Sequence, residues 1–382
     1  MQSLTPAKIS VRAISDPEGF SEVADAWNRI VREHGPNPFL LSGLLVRFVE
    51  MRANEGWRPL LLLLSVDGAP VGIAPLMTRK RYGLRFTTLL LASYFGPDFV
   101  LEDRYREECI EQILAFVFRN LHSSLLELTL PAESLNDAVL KTKCSSMMLH
   151  FSVQKSPPTG HRLVRILPSW EQFLSSTGHD FRWNIKRMRR NLSLAGTWRI
   201  DYVDLGKEPN QIERIWAVER VSWKQEWRKL RGATDEDLHL ILDGSLRMSP
   251  SEPNFRCGAW FLELNDQTIA YALVLEYGGT AYLTKTSFAE EFWKLSPGAF
   301  VVNESIHALC DSGRVSEMDF LTDLAAWKRW PGTTAAKIGV AICRLRVYAL
   351  VARLLRAGTY GYRILLDASV TLRPSERPSK AE

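Results

Sequence analysis

Residues 66–74 read Val66-Asp67-Gly68-Ala69-Pro70-Val71-Gly72-Ile73-Ala74, apolar residues on either side of Asp67-Gly68, which is the signal of a tight β-hairpin. The pattern returns 198 residues later as Leu264-Asn265-Asp266-Gln267-Thr268-Ile269-Ala270-Tyr271-Ala272. Each hairpin is followed by a strand, a helix and a strand. After the first these cover 86–92, 104–120 and 125–130; after the second they are 280–286, a helix opening at Pro297, and 316–321. Repetition at a fixed distance implies an internal duplication, and the order of elements implies a mixed α/β architecture. Coincidence is the competing reading, since hairpins with Asp-Gly-like turns are common.

Working outward, helical spacing of apolar residues predicts helices over 20–31, 41–51, 170–176, 181–194 and 211–230, behind an extended lead-in at 1–20. Lys155-Ser156-Pro157-Pro158-Thr159-Gly160 has the composition of a linker. The expected domains are therefore 1–158 and 159–370, with a Pro-, Ser- and charge-rich tail at 371–382. A chain of 382 residues exceeds what one core normally organises, in agreement with two domains.

The composition, 46% hydrophobic and 24% charged, is that of a folded protein, and a net charge of +5 is too small to imply nucleic-acid binding. No apolar run reaches the 18 or more residues of a membrane span, and the first residues lack the pattern of a secretion signal. Five scattered cysteines without a C-x-x-C pair suit a reducing compartment and no zinc site. The expectation is a cytoplasmic protein without a metal.

The stretch with most chemistry in it is 280–309, TAYLTKTSFAEEFWKLSPGAFVVNESIHAL. A strand feeds a loop, and Ser296-Pro297-Gly298-Ala299 opens a helix with Ser296 as N-cap and Pro297 at the first position. No acid precedes Glu304 inside the helix, which leaves its positive end available to an anion. Many helices that bind nothing also open with Ser-Pro-Gly.

The second half resembles the acyltransferase domain of the cellulose-biosynthesis (CelD/BcsL) type, a branch of the GNAT superfamily, and more distantly the FemABX peptidoglycan aminoacyltransferases. The likeness rests on the basic helix Phe181–Arg190 ending at Gly196, on Ser222-Trp223-Lys224, on the hairpin around Ile269-Ala270, on Ser296–Ala299, and on Met318-Asp319-Phe320-Leu321 followed by Trp327-Lys328. The resemblance implies two GNAT-like halves and an acyl-CoA-dependent transferase, most simply an acetyl-CoA one. It implies a diphosphate at Lys294, Ser296, Gly298, Ala299 and Phe300, and a pantetheine arm along Tyr282, Thr284 and Thr286. The usual GNAT run of Gln or Arg, two residues and Gly-x-Gly or Gly-x-Ala is reduced here to Gly298 and Lys294. In the first half the matching place is Phe95-Gly96-Pro97-Asp98, where Asp98 would repel a phosphate, so that half is expected to be a scaffold or acceptor platform.

Transfer from a thioester needs a group to take the acceptor's proton. Asp319 is the first choice, Asp323 the second, and Lys328 could face a phosphate or carboxylate; each is equally an ordinary strand-end or surface charge. His307 and Asp311 read as an ion pair one helical turn apart, and Cys257 and Cys310 as packing residues. Arg182, Lys186, Arg187, Arg189 and Arg190 form a basic helix that either faces solvent or meets phosphate. Residues 337–363 carry basic residues among apolar ones and no acid, which suits either a packed helix or an anionic membrane surface. Three functions remain open: acyl transfer to a small molecule or saccharide, FemABX-like transfer from charged tRNA, and a non-catalytic role in a polysaccharide or membrane assembly.

Overall fold

The computed structural model describes residues 8–91, 95–154, 160–222, 224–225, 236–248, 252–348 and 350. Two mixed sheets carry the architecture. The first contains β1 (Ile9–Ile14), β2 (Arg58–Val66), β3 (Ala69–Arg81), β4 (Leu84–Leu89), β5 (Val100–Leu101), β6 (Leu125–Pro131) and β7 (His150–Val153). The second contains β8 (His161–Arg165), β9 (Trp198–Asp204), β10 (Arg256–Leu264), β11 (Gln267–Tyr277), β12 (Thr280–Phe288), β13 (Glu317–Asp319) and β14 (Thr333–Ala335). The last strand, β15 (Lys337–Cys343), returns to the first sheet.

The spatial orders are β1-β2-β3-β4-β6-β15-β7 and β9-β10-β11-β12-β13-β8-β14, with β5 added beside β3. Strand by strand these are one topology used twice. In each the one parallel neighbour pair is the fourth with the fifth, β4 with β6 and β12 with β13. The duplication extends to backbone detail. Asp67 and Gly68 both have positive φ (48° and 83°), as do Asn265 and Asp266 (49° and 64°), the geometry of a two-residue hairpin turn whose twist matches its strands. One register shift lies between Leu64 and Ser65 and another between Leu262 and Glu263, again 198 residues apart.

The sixth place in each sheet is where the halves interlock. β15 fills it in the first sheet, wedged between β6 and β7, and β8 fills it in the second, between β13 and β14. The unit drawn from sequence as 159–370 is therefore crossed by a strand of the other sheet, because Ile338, Val340 and Ile342 complete the apolar face of the first sheet. A single apolar cluster joins the halves. It takes Phe39, Leu44 and Phe48 from the first, Leu238, Ile241 and Leu242 from the helix Glu236–Met248, and Phe261, Tyr271 and Leu273 from the second sheet.

Several sequence expectations change. The lead-in contains an edge strand, β1, and Asp16 caps a short helix, Pro17–Ser21. Residues 337–343 are strand, not helix, and 351–363 lie outside the described residues, as do Trp223 and the tail 371–382. The helix expected over 211–230 is described over Ile212–Arg220. The strand 316–321 is short because the Asp319 carboxylate takes the N–H of Leu321 (2.6 Å), whose φ of 61° turns the chain away. Among the described residues no helix is long and apolar enough to cross a membrane.

Candidate active site

β12 and β13 run parallel only through Thr280–Glu317, Ala281–Met318 and Tyr282–Asp319. Beyond that last pair they part. Across β12 from the fork, the register with β11 shifts between Leu273 and Val274, leaving Thr284 as an extra residue. Such a bulge bends its strand and strengthens the twist, so β12 beyond it diverges from β13 while staying paired with β11 through Phe288. In the first sheet the β3–β4 register is continuous. The result in the second half is a V whose apex is Asp319 and whose arms are Leu283–Phe288 and Phe320–Asp323.

One arm leads to the helix Pro297–Ser312. Ser296 occupies its N-cap in a left-handed conformation (φ 55°), and its side chain makes no capping bond. The sequence reading of Ser296 as a hydroxyl cap is corrected: the position is right, the hydrogen bond is not made. There is no acid in the first turn, so the dipole's positive end stays uncompensated by its own chain. A Cβ on Gly298 would lie 3.1 Å from the Phe288 ring, so this glycine admits Phe288 where an approaching ligand was expected. Phe300 is buried edge-on to Trp198 and gives its N–H to the Ser296 carbonyl, which makes it a packing residue. Lys294 is exposed and lies 5.9 Å above the Trp293 ring.

Along β12 the threonines turn inward. Thr284 donates to Leu273 O (3.0 Å) and Thr286 to Tyr271 O (2.8 Å), which leaves the strand's own backbone edge as what it offers a linear ligand. Lys224 donates to the Thr286 carbonyl. Tyr282 points toward the first half, with its ring against Phe39 and its hydroxyl 3.4 Å from Pro36 O; burial raises its pKa well above the ordinary phenol value.

At the apex the acid singled out from sequence has a partner that sequence reading missed. Asp319, 6% exposed, lies with Oδ2 at 2.7 Å from Nδ1 of His161, which is 7% exposed. His161 stands 158 residues away in the chain and next to a linker-like run, so no local motif announces it. Asp323 accepts from Thr334 Oγ1 (2.8 Å), and Lys328 is exposed on the turn Ala325–Arg329, so neither joins the pair. Trp327 and Trp330 brace this end: Trp327 Nε1 donates to Thr322 Oγ1 (3.0 Å) and buried Trp330 Nε1 to Asn303 Oδ1 (2.8 Å).

Lys337, the first residue of β15, is 4% exposed and close enough to feel Asp319. Desolvation pushes its pKa down to about 8, with Asp319 opposing. Between that value and the ordinary lysine value the unfolded chain binds more protons than the folded one, so this group adds stability as pH rises. Cys109, Cys144 and Cys257, which burial pushes up to about 12, act in the opposite sense. They act alike in wild type and variant. The stability of wild type relative to Lys337→Met is therefore expected to rise by about 2–3 kcal/mol from pH 7 to pH 10.5 in urea unfolding. A flat difference would show the amine to be solvated.

Elsewhere the charges pair up. His307 Nε2 lies 3.3 Å from Asp311 Oδ2, and its ring stacks on Trp170. Asp98, whose pKa burial raises, accepts from Ser134 Oγ, Asn136 Nδ2 and the Phe99 N–H, so it anchors its own loop. On the basic helix His179–Ala195, Arg182 caps carbonyls of Leu174 and Thr177 and Arg189 meets Glu304, while Lys186, Arg187 and Arg190 are exposed. A groove of about 470 Å³ between the halves holds Arg32, Arg256 and Arg314, of which Arg32 and Arg314 neutralise the buried Glu252 and Glu276. Among the described residues no group of three or more His, Cys, Asp or Glu could hold a metal ion.

The fork between parallel fourth and fifth strands thus ends at a helix start that its own chain leaves uncompensated. Residues 179–329, which hold both, match the family model described as an acetyltransferase (GNAT) domain. The whole chain is similar in fold to FemX, with a TM-score of 0.59 at 12% identity, over 90% of this chain and 99% of that one. It is also similar to the C-terminal domain (DUF2156) assigned to a lysylphosphatidylglycerol synthetase from Agrobacterium fabrum, with a TM-score of 0.55 at 12% identity over 87% and 95% of the two chains. A conserved protein of unknown function from Bacteroides thetaiotaomicron VPI-5482 gives 0.53 at 10% identity over 88% and 100%. A comparison with curated proteins found no match.

Proposed function

We propose that this protein transfers an acyl group, in the simplest case acetyl, from a coenzyme A thioester to an amine or hydroxyl by direct attack. The observation that carries the reading is the fork at Tyr282–Asp319 with its bulge at Thr284, opening onto a helix whose first turn holds no acid. The edge of β12 released at the fork, where Lys224 holds the Thr286 carbonyl, suits the amides of a pantetheine arm. The free N–H groups of the first helical turn and Lys294 suit a diphosphate. Acceptor chemistry would then take place at the apex, against the first half. The resemblance to cellulose-biosynthesis acyltransferases favours a small-molecule or saccharide acceptor.

The test is calorimetric titration with coenzyme A and acetyl-CoA of wild type and Ala299→Glu. Ala299 is the third helical position after Ser296, half-buried against the apolar cluster; Glu there supplies the acid that the first turn lacks, and thermal melting of the variant checks that it folds. Its carboxylate sits where the diphosphate is placed. Micromolar wild-type binding weakened at least tenfold in the variant is the expected result. No binding by the folded wild type would end the acyl-CoA reading.

A second reading, transfer from charged tRNA, draws on the likeness to FemX and on the exposed Lys186, Arg187 and Arg190 beside Trp183, which is 52% exposed. It would be favoured if charged tRNA, and not coenzyme A, bound with a strong salt dependence.

A further inference from the structure

The two strands that interlock the halves each begin with a titratable residue, His161 on β8 and Lys337 on β15. Both arrive at Asp319. The imidazole is held on one side only: Nδ1 faces Asp319 Oδ2 at 2.7 Å, while Nε2 is buried and has no hydrogen-bond partner among the described residues. Leaving a buried ring nitrogen unpaired is unfavourable, so such an atom needs a reason. Register explains where it lies. Asp319 pairs with Leu163 in β8, so His161, two residues from Leu163, stands on the same face as Asp319, the face that meets the first half. There the Phe95–Gly96 backbone, held by the Asn37 amide, lies over the ring, and a Cβ at Gly96 would be only 3.3 Å from His161 Cε1.

We propose that His161 Nε2 takes the acceptor's proton in the transfer reaction, with Asp319 as the positioning residue that holds the ring. This rests on the acyl-transfer reading and deepens it. A carboxylate at Nδ1 fixes that nitrogen as the N–H donor and leaves the lone pair on Nε2. As the acceptor nitrogen attacks, the new N–C bond forms and the thioester C–S bond breaks. Nε2 takes a proton from the nitrogen, and the imidazolium, stabilised by Asp319, returns it to the departing thiolate. Products are an amide and a free thiol, with no proton left over. The groups that set the electrostatics around the pair are Asp319 and Glu317 on β13, Tyr282 on β12 and Lys337 on β15.

Two measurements test this separately from the donor site. Nitrogen-15 NMR of histidine-labelled protein reads the tautomer directly. Free protein at neutral pH should show His161 protonated on Nδ1 and bare on Nε2, and Asp319→Asn should change that pattern. A proton on Nε2, or a tautomer indifferent to Asp319→Asn, overturns the proposal whatever the substrate. In the second, thiol release from acetyl-CoA is followed with a panel of amino sugars and small amines. His161→Gln should lower kcat 10²–10⁴-fold with the KM for acetyl-CoA unchanged, and with a changed pH profile. Activity within threefold of wild type would overturn the assignment. If wild type releases no thiol, the acyl-CoA reading fails, and the NMR result alone decides the tautomer on which the proposal depends.

Discussion

Removing residues 337–382 is expected to unfold the first half of the molecule, although the deletion begins in the second. β15 is an interior strand of the first sheet, bonded to β6 over Leu125–Pro131 on one side and to β7 on the other. Without it β7 has no described sheet neighbour, and the apolar faces of Leu126, Leu128 and Leu130 end at a bare edge. Burial of Val340 and Ile342, both fully inaccessible, contributes roughly 1.5–3 kcal/mol each before any backbone bonds are counted. That is comparable with the whole stability margin of a domain, about 5–15 kcal/mol. Hydrogen exchange should show β2, β3 and β6 losing protection together. Val340→Asp, which buries an unpaired carboxylate in an otherwise intact chain, should lower stability by about 3–5 kcal/mol. A truncated protein that still melts cooperatively within a few degrees of wild type would refute the strand exchange.

The duplication was legible because hairpins write themselves into local sequence. Asp67-Gly68 and Asn265-Asp266 take the positive φ angles that their residue types favour, and each turn sets the register of its own hairpin. The exchange of β8 and β15 was not legible. β8 is a short, largely basic run and β15 a short apolar one, each next to a Pro- or Gly-containing segment, and nothing within seven residues says which sheet a strand joins; that is decided by packing across the whole molecule. For the same reason Asp319 stood out and His161 did not. An acid just before the apolar pair Phe320-Leu321 is locally conspicuous, whereas a histidine acquires its carboxylate neighbour only when a residue 158 positions away meets it. Gly298 has a packing reason that its local sequence did not show: an aromatic ring four residues beyond the bulge, Phe288, lies where its side chain would be.

How the halves meet depends on a pair of glycines, and a methyl added there would act on the packing of one half against the other. The helices Ser42–Asn54 and Glu236–Met248 pack where Gly43 faces Gly244. A Cβ on Gly244 would lie 3.0 Å from Leu44 Cα and 3.1 Å from the Gly43 carbonyl, both backbone atoms that cannot step aside. On Gly43 it would meet Met248 Sδ and, at 2.7 Å, Cγ, the far end of an adaptable side chain, with the nearest backbone atom at 3.5 Å. Alanine gains up to about 1 kcal/mol of helix propensity at either position. Gly43→Ala should therefore come out within about 1 kcal/mol of wild type, since the clash falls on the flexible end of Met248 and not on backbone. Gly244→Ala must push two helices apart and should lower stability by about 2–3 kcal/mol; Gly244→Val, with two further methyls and a stiff χ1, should exceed that. Urea unfolding of the three variants measures the order directly. The apex would report the same displacement, because His161 and Asp319 belong to the second sheet while Phe95 and Gly96, which lie over the ring, belong to the first half. The His161 resonance should therefore shift in Gly244→Ala and stay put in Gly43→Ala. Equal losses of stability from the two alanines would mean that the helices yield as easily as Met248 does, and that the crossing does not fix how the halves are set against each other.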